Sequence, residues 1–346
     1  LANNPAIGLL IGGRNVESGR RLAQELGLGP EQAVGVDATS SLLPEVLKEL
    51  QVGVLIHAAG PFQGQDYAVA RAAIETRCHY LDLADGRQFV NGIESLDADA
   101  RAGGVTVTSG ASSVPALSSA VVDRYLPRFG RLDLVEIGIS SGARATGLAT
   151  VRGVFSYAGK PVSILQNGSW VTGYGWRGLT RHRFPPPIGS RWLATCDVPD
   201  LDVLPRRYPT VGSVTFKAGF ASDAGHLFVW GLAGLVKIGL IASMTPFASL
   251  LSRISGWIEP LVSDKGGMFV RLEGADSSGQ PLRINWNLIA GNNHGPFIPC
   301  GAAIVLATKI AAGGNLPIGA FPCTGLLTVD EYLRALDGLD VQEVVE

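Results

Sequence analysis

Few side chains in this sequence stand where they could do chemistry. In the apolar run HYLDLA (His79–Ala84) the carboxylate of Asp82 is out of character and has to be paired or solvated. Such a group can orient a substrate cation or assist a proton transfer. It can equally serve as a hydrogen-bonding anchor for a neighbouring loop. Tyr80 and Asp85, on the same run and just past its end, are candidates for contact with a substrate. His294, in the polar, glycine-bounded stretch AGNNHGPF, reads either as an acid or substrate ligand or as an ordinary loop residue. Arg144, in SSGARATG, can anchor a carboxylate or a phosphate. The histidines make neither His-x-x-x-His nor His-Glu-x-x-His, so no metal site is expected. His57, inside an apolar strand, reads as a core residue, and no Gly-x-Ser-x-Gly elbow argues for hydrolysis.

The elements that must position these groups follow a rhythm. AIGLLIGG (Ala6–Gly13) is a short apolar strand, VESGRRLAQELG (Val16–Gly27) has helical spacing, and AVGVDA (Ala33–Ala38) is again a strand. A short helix spans Ser41–Leu50. VGVLIHAAG (Val52–Gly60) is apolar on both faces, as a central parallel strand should be. A helix over 64–77, the strand His79–Ala84, a helix over 87–102 and the strand Val105–Gly110 complete a parallel sheet with covered faces. Beyond the helix ALSSAVVDRYL the pattern changes at Leu132 to strands separated by long loops, with a hairpin over Gly266–Gly291. An apolar helix over Cys300–Gly313 follows. Thr328 and Glu331 then form a capping box for a last short helix. The fold class is α/β: a Rossmann-like parallel-sheet domain over 1–120, an α+β substrate or oligomerisation domain with a mainly antiparallel sheet over 121–295, and C-terminal helices over 296–346 packing back on the first domain.

Bulk properties narrow the function. A chain of 346 residues suits two packed domains, and 46% hydrophobic against 17% charged residues places it far from disorder. A net charge of -2 gives no reason to expect a nucleic-acid partner. Cys78, Cys196, Cys300 and Cys323 are far apart and read as free thiols of a cytoplasmic protein. The segment 227–251 is apolar, but Lys237 near its middle and Pro246 favour two helices, about 226–242 and 246–261, over a membrane span. Peripheral contact of this segment with a membrane stays open. The apolar composition and the aromatics Trp170, Trp176 and Trp192, taken as exposed, point to a homodimer.

A parallel βαβ domain binds a dinucleotide through a strand, a Gly-x-Gly-x-x-Gly turn and a helix N-terminus. GGRNVESG does not have that order. The opening stretch therefore reads as the end of a first helix and a second strand, with roughly 20 to 30 further residues expected before Leu1. The alternative takes Ala6–Gly13 as the first strand and GGRNVESG as its glycine loop. Arg14 stands at a strand end where an NAD-preferring protein would carry Asp or Glu, and its planar fork suits a 2′-phosphate; its other reading is a surface arginine. Gly13 and Asn15 flank it, and Asp37, at the next strand end, either meets the adenine edge or caps a turn. Ala58, Ala59, Gly60 and Pro61 follow the central strand at the carboxyl edge, where small residues let a flat cofactor lie on the backbone. Phe62 is placed to stack near its ring. The same residues would also make a tight turn.

The segments LLIGGRN, VLIHAAGPFQGQDYAVARAAIETRCHYLDLAD, VTSGASSVPALSSAVVDRY and GPFIPCGAAIVLATKIAAGGNLPIGAFPCTGLLTVDEY resemble the saccharopine dehydrogenase-like oxidoreductases. The resemblance implies that Gly13–Arg14 face the adenosine ribose, that Ala58–Pro61 line the nicotinamide side and that Tyr80–Asp85 close the cleft. It implies hydride transfer with NADP, or alternatively NAD, and an unidentified small or lipid-like substrate. Two other readings compete: a non-catalytic nucleotide-binding or interaction protein, and a membrane-associated lipid-modifying reductase.

Overall fold

The computed structural model describes residues 1–142, 147–249 and 262–346. Strands β1 (Ile11–Gly13) and β2 (Ala33–Gly35) pair in parallel across helix α1 (Val16–Glu25). Asn15 caps α1 by accepting the Ser18 N–H at 3.0 Å. Helix α2 (Leu43–Glu49), β3 (Val54–His57), α3 (Ala68–Glu75) and β4 (His79–Asp82) follow. The helix expected over 87–102 is instead α4 (Arg87–Gly92), a 3₁₀ turn over Ile93–Leu96, and α5 (Asp97–Gly103). Asn91 and Gly92, both weak helix formers, fall at the break. Then come β5 (Thr106–Ser109) and α6 (Ser118–Tyr125).

The second part runs β6 (Arg131–Ser140), α7 (Leu148–Tyr157), β7 (Pro161–Gln166), β8 (Ser169–Tyr174), β9 (Thr180–Phe184), β10 (Gly189–Thr195), α8 (Asp200–Arg207), β11 (Ser213–Gly219) and α9 (Asp223–Lys237). It ends with β12 (Gly266–Ala275), β13 (Pro281–Ala290), α10 (Gly301–Ala311), β14 (Gly319–Pro322), α11 (Val329–Arg334) and β15 (Val341–Val345). The larger sheet has the order β15-β13-β12-β6-β11-β10-β9, with β7 pairing β11 and β8. Its ladders are antiparallel except β6–β11. The Rossmann-like sheet has the order β14-β5-β4-β3, all parallel. Among the described residues, no ladder joins β3 to the separate β1–β2 pair.

Strand alternation sorts the two faces of the large sheet. Val135 and Ile137 of β6 point into the core with Val270, Leu272, Trp286 and Leu288. Glu136, between them, turns to the other face, where it pairs with Arg271 at 2.7 Å and Lys217 at 3.7 Å. The same core takes in Leu117 and Val121 of the first part and Ala302 and Leu306 of α10, so one apolar interior joins both sheets. Helix α6 packs on β12, and α10 packs on β3.

Several expectations need correction. Trp176 is not exposed: its ring is buried beside Phe220 and His226, at 5.0 and 5.4 Å. Trp170 is exposed, and Trp192 lies half-buried under Arg181. Helix α9 starts earlier and stops earlier than the 226–242 expected. Ser222 caps its start by accepting the Gly225 N–H at 3.1 Å, and Gly239, at φ 77°, follows its end. Most of the second helix expected over 246–261 lies outside the described residues. Among those described, no helix is long and apolar enough to cross a membrane.

Two buried polar links fasten the two parts. The Arg87 guanidinium on α4, 11% exposed, reaches Asp197 at 3.0 Å and the Ser163 carbonyl at 2.9 Å, and also binds Asp202 on α8. Arg87→Ala should cost about 2–3 kcal/mol, measured as a shift in urea midpoint, because it removes charge-assisted hydrogen bonds to two partly buried carboxylates, of which Asp202 keeps only its Asn91 donor at 3.0 Å. The second link is Asp200, fully buried and bonded to the Ser118 hydroxyl. Burial pushes its carboxyl from 3.8 up to about 7. Its contribution to stability is therefore full below 3.8 and is lost as pH rises through about 7. Asp200→Asn should flatten that loss, gaining on the order of 2 kcal/mol over the parent between pH 5 and pH 8. Urea titrations of both proteins across that range check it.

Candidate functional site

The sequence places the short, apolar strands β3, β4 and β5 side by side, so their carboxyl ends form one crest. Asp82 ties that crest together. It is fully buried at the end of β4. Its Oδ1 accepts the Ala84 N–H at 3.0 Å, the Ser109 hydroxyl at 2.9 Å and the Gly110 N–H at 2.8 Å. Burial outweighs these donors and raises the carboxyl to about 6. Gly110 has to be glycine. Its φ is 80°, and a Cβ there would stand 2.4 Å from Cδ of Pro115.

Tyr80 lies beneath the crest, fully buried, with its hydroxyl 3.0 Å from Nδ1 of His57. Burial, reinforced by the neighbouring Asp82, drives the phenol well above its ordinary value. Burial alone lowers His57 to about 4. Tyr80 is thus part of the floor rather than of the surface a substrate would meet, while His57 is the core residue its strand implied.

Above this floor lies a cleft of about 460 Å³, within the range of small-molecule sites. Gly60, Pro61, Phe62, Leu83, Asp85 and Ser113 contribute its wall on the Rossmann side. The opposite wall comes from the ends of β6 and β12, including Ser140 and Met268, from the start of α7, and from 293–300. Asp85 is the carboxylate at the crest: its Oδ1 accepts from Nε2 of Gln63 at 3.1 Å, and burial raises its pKa. Oγ of Ser140 in this lining is buried and has no partner among the described residues, while Oε1 of Gln63, likewise without one, packs against Gly153 of α7.

The remaining candidates are spread more widely. Ala59 is exposed beside the cleft, and its carbonyl accepts from Gln65 Nε2 at 2.9 Å. His294 does not line the cleft although Asn293 and Gly295 do; its Nδ1 accepts the Asp340 N–H at 2.7 Å. Arg144 lies outside the described residues. Gly13, Arg14 and Asn15 stand at the carboxyl end of β1 and the start of α1, with Arg14 exposed. Asp37 takes the turn-capping role, accepting the Thr39 N–H at 2.9 Å and its hydroxyl at 2.8 Å. These bonds, and the nearby charge of Arg14, lower the Asp37 carboxyl.

Sequence reasoning missed Gln63, Ser113 and Ser140. A signal existed for the first, a polar residue directly after the small-residue turn AAGPF. Cys300 lines the cleft, but burial pushes its thiol up, away from the thiolate that nucleophilic chemistry needs. Among the described residues no group of His, Cys, Asp or Glu is arranged to hold a metal.

Comparison with known proteins agrees with this architecture. The sequence profile of the saccharopine dehydrogenase NADP binding domain matches residues 1–108. No match is found among curated proteins. The solved structure of apo histidine-tagged saccharopine dehydrogenase (L-Glu forming) from Saccharomyces cerevisiae is similar over 100% of this chain and 96% of that one, at 14% identity and a TM-score of 0.69. Amine dehydrogenase from Mycobacterium smegmatis is similar over 93% of this chain and 88% of its own, at 14% identity and a TM-score of 0.47. The chain is distantly related to the saccharopine dehydrogenase-like, Rossmann-fold oxidoreductases.

Proposed function

We propose that this protein is an NAD(P)-dependent oxidoreductase that seats its substrate in the cleft between the strand crest and the large sheet. The observation that carries the reading is the cleft itself, formed at the carboxyl ends of parallel strands where open α/β sheets bind ligands. Its chemistry fits a nicotinamide. The ring would lie against Gly60 and Pro61, and a carboxamide would satisfy the orphaned Ser140 hydroxyl. When bound, the cofactor supplies or accepts the hydride.

The protein's own contribution is position and a proton. Gln63 holds Oδ1 of Asp85 and so leaves the second carboxyl oxygen for the substrate. Because burial raises its pKa, Asp85 keeps a proton to higher pH than a free aspartate and can hand it on. Asp82 acts at one remove, as a positioning residue that fixes the crest from which Asp85 and Ser113 project. At the far end, Arg14 would grip a 2′-phosphate, with Asp37 as its resident carboxylate neighbour.

Calorimetric titration of the full protein with NADPH and NADH tests the reading directly. NADPH should bind about ten- to a hundred-fold more tightly, the worth of one charge-assisted fork. Arg14→Ala should remove most of that gap and leave NADH binding nearly unchanged. No binding of either nucleotide would end the proposal, and equal affinities would end the role of Arg14. Once a substrate is found by screening carbonyl, imine and enoyl compounds for cofactor consumption, Asp85→Asn should lower turnover by about a hundredfold or more. Nucleotide affinity should stay intact. Unchanged turnover would remove Asp85 from the chemistry.

A further inference from the structure

Helix α9 is apolar on two faces, and among the described residues only one of them is covered. Its inner face, His226, Val229 and Ala233, is buried. At 100° per residue, Ala224, Leu227, Phe228, Gly231, Leu235 and the following Ile238 fall within an arc of about 100° on the other side. No charged residue falls in that arc. Phe228 is 55% exposed, and just past the helix Ile238 and Leu240 are 68% and 70% exposed. A helix apolar all round normally lies inside a protein, so the outer face calls for a partner.

The charges around the patch say which kind. The Arg177 guanidinium lies 3.9 Å over the ring of Trp230 and donates to its carbonyl at 2.8 Å. Nζ of Lys237 sits 4.3 Å over the ring of Tyr174. Among the described residues neither of these two cations is in an ion pair with a carboxylate. A second copy docking here about a twofold axis would bring like charges together. Protruding aliphatics, aromatic rings at their base and unpaired cations beside them instead form the pattern of a surface that dips into anionic lipid.

The geometry points to a membrane-docking face: the outer stripe of α9 and the tip Ile238–Leu240 enter the headgroup region of an anionic bilayer while Arg177 and Lys237 meet its phosphates. This stands independently of the proposed oxidoreductase chemistry. The test is co-sedimentation of the full protein with phosphatidylcholine vesicles, with and without phosphatidylglycerol. Binding should require the anionic lipid and weaken as salt is raised. The double variant Ile238→Ser/Leu240→Ser should lose at least about tenfold in partition. Lys237→Glu should lose about fivefold or more on anionic vesicles. In the unsubstituted protein, brominated acyl chains should quench fluorescence that Trp230→Phe removes, a readout that needs no folded patch variant. Failure to sediment with either vesicle, equal binding to both, or a dimer that Ile238→Ser/Leu240→Ser dissociates would each overturn the assignment.

Discussion

An ionisable carboxyl group with no water around it holds the crest of the Rossmann sheet in shape. Asp82 gathers three donors from two different strand ends onto one oxygen, and the backbone around it has little other choice of partner. The Ala84 and Gly110 amides lie where β4 and β5 stop laddering, so their N–H groups would otherwise be orphaned in an apolar interior. The cost of burying the acid appears in its raised pKa, and the return is a fixed separation between the loops that carry Asp85 and Ser113. Tyr80 and His57 fill the space below and keep it dry. The cleft floor is therefore a polar network set inside an apolar one and shielded from solvent.

The walls of the cleft belong to different parts of the chain, and their spacing has to be set from a distance. One apolar core runs from α6 and α10 into the inner face of the large sheet, so the two sheets cannot slide past each other without opening packed interior. Apolar packing resists separation but says little about register. Arg87, with two carboxylates and a carbonyl, and Asp200, with the Ser118 hydroxyl, supply directional contacts at the same seam. Both lie away from the cleft. This division leaves the polar side chains of the cleft lining free of the task of holding the sheets together, while Met268 and Ile298 belong both to the lining and to the shared core.

Much of the fold was legible because it rests on periodicity. β3 is apolar on both faces, β12 and β13 alternate, and Thr328 with Glu331 announce α11; each pattern is a local consequence of burial or capping. What was not legible depended on distant partners. GAFP (Gly319–Pro322) has neither length nor alternation, and it is a strand because β5 offers it an edge, with Thr106 and Thr108 hydroxyls bonding to Pro317 and Phe321 carbonyls. β15 likewise exists only against β13. Trp176 read as a surface aromatic because nothing nearby in sequence reveals that α9 covers it.

The site shows the same limit in sharper form. Tyr80, Asp82 and Asp85 sit within six positions and offered themselves as one group of functional residues. Chain geometry separates them. While β4 remains extended, alternate side chains point to the same side, so Tyr80 and Asp82 both turn into the interior. Past the strand the alternation ends, and Asp85 reaches the cleft, where Gln63 meets it. His294 illustrates the converse, since its neighbours on both sides line the cleft while its own ring turns to the Asp340 amide. Residue type limited what each side chain could do; where the regular backbone stopped decided which of them could do it.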